Sequence, residues 1–213
     1  MLAQIFTSFL SNLGWIVLLF VAITLVKLFK PFLKGKIGEF AVSTHVKVYL
    51  DKENYILLND CTLPDAQNQT TQIDHILLSL YGVFVIETKN YKGWIFGVER
   101  QKIYKKSYKF QNPLHQNYKH QKVLESVLTD IVDSTQIHSI VVFMSDCEFK
   151  TKMPNNVFRG AGWTDYVKQF KQINIPPMKL KRIQYRLEKE ILEKSWKTNR
   201  QHIQSLKDKY TEK

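Results

Sequence analysis

The stretch TQIDHILLSLYGVFVIETKNYKG, Thr71 to Gly93, constrains the fold more than any other part of the chain. Two apolar runs, TQIDHILLS and GVFVIETK, flank a very short connection, the pattern of two neighbouring strands in the interior of a sheet. Asp74, Glu87 and Lys89 nevertheless stand inside it, and burying unpaired charge costs several kcal/mol. Either these charges lie on a solvated face, or they act together.

Strand alternation puts Glu87 and Lys89, two residues apart, on one face. A two-residue turn on Leu80 and Tyr81 sets Ser79 against Gly82, makes paired positions sum to 161 and brings Asp74 opposite Glu87. A turn on Tyr81 and Gly82 makes the sum 163 and pairs Asp74 with Lys89 instead. Both registers gather the three charges on one face, whereas a three-residue loop or a bulge would turn Asp74 away. Two adjacent carboxylates repel, a cost tolerated where a divalent cation neutralises them, and Mg²⁺ takes one or two carboxylates while keeping several waters. With Asp74 and Glu87 as ligands and the Lys89 ammonium orienting the attacking water, such a cluster suits phosphodiester hydrolysis. The rival reading is an exposed strand with an ordinary Glu-x-Lys charge pair.

Around this hairpin the 213-residue chain reads as an α/β domain in which helices flank a mixed sheet. GKIGEFAVSTHVKVYL has helical spacing and puts Glu39 in its first turn or two. YILLND reads as a short strand, CTLPDAQNQT as a polar loop, and GWIFGV and KIYKKSYKF as further short strands. A helix begins near Pro113, HSIVVFM reads as a central strand, and beyond Pro176 one long basic helix carries Leu180, Ile183, Leu187, Ile191 and Trp196 on a stripe. The boundaries fall at 1–33 for an anchor and its basic flank, 34–150 for the α/β domain and 151–213 for a helical extension.

The first charged side chain is Lys27, and the apolar run before it is long enough to cross roughly 30 Å of hydrocarbon, so a transmembrane helix is expected. The run lacks a basic start and leads into KLFKPFLKGK, which favours an uncleaved anchor. Lys27, Lys30, Lys34 and Lys36 then hold the following domain on the cytoplasmic side. The net charge of +12 has two readings, since lysines beside an anchor also bind anionic headgroups. RQKIYKKSYKFQNPLHQNYKHQK lies far from that anchor and interleaves Lys102, Lys105, Lys106, Lys109 and Lys119 with aromatic residues. This suits lysines on phosphates and rings on bases, or simply a solvated hairpin and helix face. Cys61 and Cys147 are the only cysteines and neither forms a CxxC, consistent with a reducing compartment. The histidines miss zinc spacing; His115 and His120 are five apart and diverge around a helix.

GKIGE, QIDHILLSLYGVFVIETKNYKGWIFG and FQNPLHQNYKH together resemble the successive motifs of the nuclease-related domain, or NERD, from roughly Gly35 to Val132. The resemblance implies a restriction-endonuclease-like fold of the PD-(D/E)xK superfamily and a nuclease dependent on Mg²⁺ or Mn²⁺. By that likeness Asp74 and Glu87 are the metal ligands, Lys89 positions the water, Glu39 is an outer ligand, and Gln116 matches a family position facing the site or capping its helix. The residue before Asp74 is Ile73, where the superfamily's name has proline. The expected function is a membrane-anchored nuclease acting on DNA, with RNA as the alternative substrate. The rivals are a tethered nucleic-acid-binding module that cleaves nothing and an interaction protein of the membrane surface.

Overall fold

The computed structural model describes residues 2–65, 69–97, 104–105 and 108–192, with backbone alone for 2–13, 31, 104–105 and 108–109. It has two compact units, Met1–Ile37 and Gly38–Lys213. Helix α1 runs through Leu2–Tyr49. In the first unit Trp15, Ile16, Leu18, Leu19, Phe20 and Val26 are all exposed. Among the described residues no single helix is long and apolar enough to cross a membrane. By length and composition a bent pair is, Gly14–Lys30 with Phe32–Tyr49. The break falls at Pro31, a residue with no backbone N–H to donate.

The second unit is built on a five-stranded sheet ordered β1 (Tyr55–Pro64), β2 (Thr70–Ser79), β3 (Val83–Lys89), β7 (Ile137–Phe143) and β9 (Val157–Arg159). The first three strands run antiparallel and the last two continue parallel to β3. A smaller sheet orders β6 (Tyr108–Lys109), β5 (Tyr104–Lys105), β4 (Gly93–Phe96) and β8 (Cys147–Phe149). KIYKKSYKF is therefore a tight pair of two-residue strands rather than one strand. β1 is also longer than YILLND, taking in Cys61 to Pro64, because the connection to β2 closes early: Asp65 donates its N–H to the Gln69 carbonyl and accepts the Gln69 N–H at its side chain, both 2.8 Å.

Helix α2 (Pro113–Val127) starts where a cap predicts. Asn112 accepts the Leu114 N–H at 2.9 Å, and Pro113 occupies the first turn, where its missing donor costs nothing. Helices α3 (Trp163–Lys168) and α4 (Pro177–Glu190) follow β9. The basic C-terminal helix is shorter than its sequence suggests: it stops at Glu190, Ile191 turns extended, and Leu192 donates to the Thr62 carbonyl of β1 at 2.9 Å. Trp196 lies outside the described residues.

One core joins Ile73, Ile76 and Leu78 of the hairpin to Leu124 and Leu128, and to Leu180, Ile183 and Leu187 of α4. A second core, on Leu77, Phe84 and Ile86, takes Val42 and Val46 from α1 and Trp163 and Val167 from α3. α1 enters this packing through Gly38. A Cβ there would lie 3.0 Å from Thr88 Cγ2 and 3.3 Å from Asn90 Cβ, so only glycine lets the helix come this close to the end of β3. Gly38→Val is expected to cost about 1–3 kcal/mol by overpacking, read as a lower melting temperature, and to reduce any activity that needs the adjacent Glu39.

Candidate active site

The β2–β3 hairpin turns on Leu80 and Tyr81. Paired residues sum to 161 from Leu78↔Val83 to His75↔Ile86, and Ser79 donates its N–H to Gly82 at 3.0 Å. The Ser79 hydroxyl locks the turn by accepting from Tyr81 and Gly82 and donating to the Gly82 carbonyl. This register carries Asp74 opposite Glu87. At that row the ladder opens, because the Thr88 N–H donates to Asp74 Oδ2 at 2.8 Å instead of to the facing strand.

The same row disturbs the other side of β2. Asp60, across from Asp74, has φ 54°, a left-handed conformation that Asp tolerates better than most residues. Leu58 and Ile76 share a core with Cys61, Leu63 and Ile73, so the inward alternation changes phase here in both strands. Asp60 Oδ1 is held by the Gln72 amide at 3.1 Å. A kink of this kind is the sort that would turn Asp74 away, yet the Thr88 amide keeps its carboxylate at the end of β3.

Glu87 is almost wholly buried, with 1% of its side chain exposed. Lys89 Nζ donates to Glu87 Oε1 at 2.5 Å and to Gln116 Oε1 at 3.0 Å. Gln116 thus faces the site from α2 and does not cap that helix, a role Asn112 fills. The Lys89 pKa is raised: burial alone would lower it, but the Glu87 carboxylate beside the ammonium outweighs that. Glu87 is also desolvated, which by itself raises a carboxyl, yet His120 and Lys89 beside it bring it below the usual range. Asp74 goes the other way, pushed up to about 8 by burial first and then by the Glu87 charge, with Glu39 adding to the push. The Thr88 amide and Lys89 oppose that rise without cancelling it. Glu39 is partly buried and contributes its charge from α1.

His120 is the residue that spacing missed. It does diverge from the exposed His115, but it turns inward, with Nε2 3.3 Å from Glu87 Oε2 and Nδ1 2.8 Å from Thr71 Oγ1. Asn117 was equally hidden: its buried amide donates to the Val85 and Ile140 carbonyls, at 3.0 and 2.9 Å, bolting α2 across β3 and β7. The only sequence signal for both was helical spacing, since His120 stands four residues from Gln116 and three from Asn117.

The arrangement suits a hard divalent ion. Asp74 is pushed up to about 8 by burial and by the neighbouring Glu87 charge, and Glu87 Oε2 has no hydrogen bond of good geometry among the described residues. No group of three or more His, Cys, Asp or Glu among them could form a metal cage. Zinc is therefore a poor fit, whereas an ion that keeps most of its waters is a good one. Of the expected phosphate-binding lysines, Lys119 is exposed on α2 beside Tyr118. Lys102 and Lys106 lie outside the described residues, as do the side chains of Lys105 and Lys109. Cys61 and Cys147 are both buried.

Residues 34–144, just over half of the chain, match the family model of the nuclease-related domain. An uncharacterized protein of Bacillus anthracis is 41% identical over 132 residues, which cover 60% of this chain. The matched region also spans only 60% of that relative's length. No solved structure matches the chain. With the ordered motifs, the hairpin and the acidic cluster all falling inside the matched segment, the chain belongs to the nuclease-related domain family of the PD-(D/E)xK-like nuclease superfamily.

Proposed function

We propose that this protein is a membrane-anchored, divalent-metal-dependent nuclease that hydrolyses phosphodiester bonds of DNA, with RNA as the alternative substrate, on the cytoplasmic side of a membrane. The observation that carries the reading is the convergence of Asp74, Glu87 and Lys89 at the end of one hairpin, with Asp74 pushed up to about 8 by burial and by the Glu87 charge. Mg²⁺ or Mn²⁺ bound there would supply Lewis acidity to the scissile phosphate and lower the pKa of a water. Asp74 and Glu87 hold the ion. Lys89 has three protons; Glu87 and Gln116 take two, and the third orients the attacking water along the phosphate. Glu39 acts as an outer ligand from α1.

Anchorage rests on the exposed apolar residues between Trp15 and Phe29, and orientation on the lysines that follow them. DNA contact rests on the solvent face of α2, where His115, Tyr118, Lys119 and Lys122 recur at helical spacing and Lys122 lies 5.5 Å from the Tyr118 ring centre. Lys119→Ala should weaken DNA binding a few-fold and flatten its dependence on log salt by about one phosphate contact, measured by fluorescence anisotropy across a salt series. It should leave the single-turnover cleavage rate at saturating protein unchanged.

The deciding experiment incubates the full chain, purified in detergent, with single- and double-stranded DNA and with RNA, in the presence of Mg²⁺, Mn²⁺ or a chelator. Ion-dependent cleavage is expected, strongest on DNA. Salt-sensitive binding with no cleavage under any ion would replace the nuclease by a tethered binding module, and absence of both would leave a membrane-surface interaction protein.

A further inference from the structure

His120 touches the proposed metal site and has no role in the reading above. Its side chain is 6% exposed, and both ring nitrogens face polar groups of the cluster. Nε2 lies 3.3 Å from Glu87 Oε2 and Nδ1 lies 2.8 Å from Thr71 Oγ1. Gln116 Nε2 also approaches Nε2, at 3.4 Å. A bare ring nitrogen turned to a carboxylate oxygen would set lone pair against lone pair, so Nε2 carries a proton and Nδ1 accepts from the Thr71 hydroxyl. Thr71, at the start of β2, thereby selects both the tautomer and the ring angle. The second Glu87 oxygen is meanwhile held by Lys89. The two carboxylate oxygens thus face groups from different elements, one hydrogen-bonded to Lys89 and the other 3.3 Å from the His120 ring.

We propose that His120, fixed by Thr71, is a positioning residue that keeps the Glu87 carboxylate turned toward Asp74 so that the two can share a divalent cation. The inference rests on the nuclease reading of Asp74 and Glu87. Without the imidazole, Glu87 is satisfied by Lys89 alone and is free to rotate toward it, away from Asp74. A ring that only filled space would need no hydroxyl behind it; this one faces Thr71 on one side and an otherwise poorly bonded buried oxygen on the other. Partners that orient a metal ligand in this way are generally worth about 10–100-fold in metal affinity.

The test is calorimetric titration of Mn²⁺ into the full chain in detergent, for the wild type, Asp74→Ala, His120→Ala, Thr71→Val and Thr71→Ser. The wild type should bind and Asp74→Ala should not. His120→Ala and Thr71→Val should each weaken binding by about 10-fold or more, and Thr71→Ser, which keeps the hydroxyl, should bind as the wild type does. Thr71→Val has the shape of threonine, so it guards against a loss of folding in His120→Ala; ion-free melting temperatures check both. Wild-type affinity in Thr71→Val and His120→Ala would overturn the inference and leave the metal site standing. Equal losses in Thr71→Val and Thr71→Ser would assign the effect to packing and overturn it as well. A wild type that binds no Mn²⁺ would sink the inference together with the reading beneath it.

Discussion

Asp74→Asn is expected to abolish ion-dependent cleavage and, in the same protein, to make the ion-free chain more stable. The first effect follows from removing one of two charged ligands. Lewis-acid stabilisation of the phosphate is worth several kcal/mol, and each 1.36 kcal/mol is a factor of ten, so the loss should reach on the order of 10³-fold. The second follows from the carboxyl's own situation. Burial and the neighbouring Glu87 raise it from 3.8 to about 8. A carboxyl raised on folding leaves stability intact below pH 4 and removes it progressively as pH climbs through 8, because the folded chain must give up a proton that it holds more tightly than the unfolded chain does. The full penalty above pH 8 is at most about 6 kcal/mol. Asparagine carries no such charge and can still accept from the Thr88 N–H.

Melting curves of wild type and variant should therefore coincide near pH 4 and separate increasingly toward pH 9, with the variant higher. Mn²⁺ should raise the wild type and leave the variant where it was, closing the gap from below. Comparison at each pH cancels the other titrating groups, such as His138, whose pKa burial lowers. A variant that melts below the wild type at pH 9 without ions would mean that Asp74 is needed for the fold and that the cluster is not short of positive charge. Such a residue, bad for the fold and good for the chemistry, is the usual mark of a functional site.

The hairpin was legible because parity is discrete. Once the turn takes two residues, side chains fall on one face or the other, and Asp74, Glu87 and Lys89 had to gather. The kink at Asp60 was not legible: no glycine or proline marks it, and an Asp with positive φ in mid-strand reflects the packing of two strands rather than local preference. Gln116 was named from its motif but could not be given a partner until α2 was set on the sheet. That docking depends on Asn117, whose amide reaches carbonyls 32 and 23 residues away in sequence. His120 was invisible for the same reason, since its worth lies in Thr71 and Glu87, neither within reach along the helix.

Truncation after Gln172 is expected to unfold the remaining domain, although it removes nothing from the family-matched segment 34–144. Ile175, Leu180, Ile183 and Leu187 are almost completely buried, in one core with Cys61, Leu63, Ile73, Leu124 and Leu128. At about 1.5–3 kcal/mol for each buried side chain, these four contribute an amount comparable to the whole stability of a typical domain, roughly 5–15 kcal/mol. The approach to α4 also closes the hairpin turn, with Asn174 and Ile175 donating to the Leu80 carbonyl at 3.0 and 2.9 Å. Arg186 binds Asp130 through both guanidinium nitrogens just beyond α2. Losing α4 thus strips the back of α2, the helix whose front holds Gln116 and His120 against Lys89 and Glu87. The single change Leu187→Ala should cost about 2–5 kcal/mol, seen as a shifted denaturant midpoint with unchanged slope. A chain ending at Gln172 that still melted cooperatively would show that the sheet and α2 suffice. The C-terminal segment would then be an accessory, and the site could be assembled from the matched residues alone.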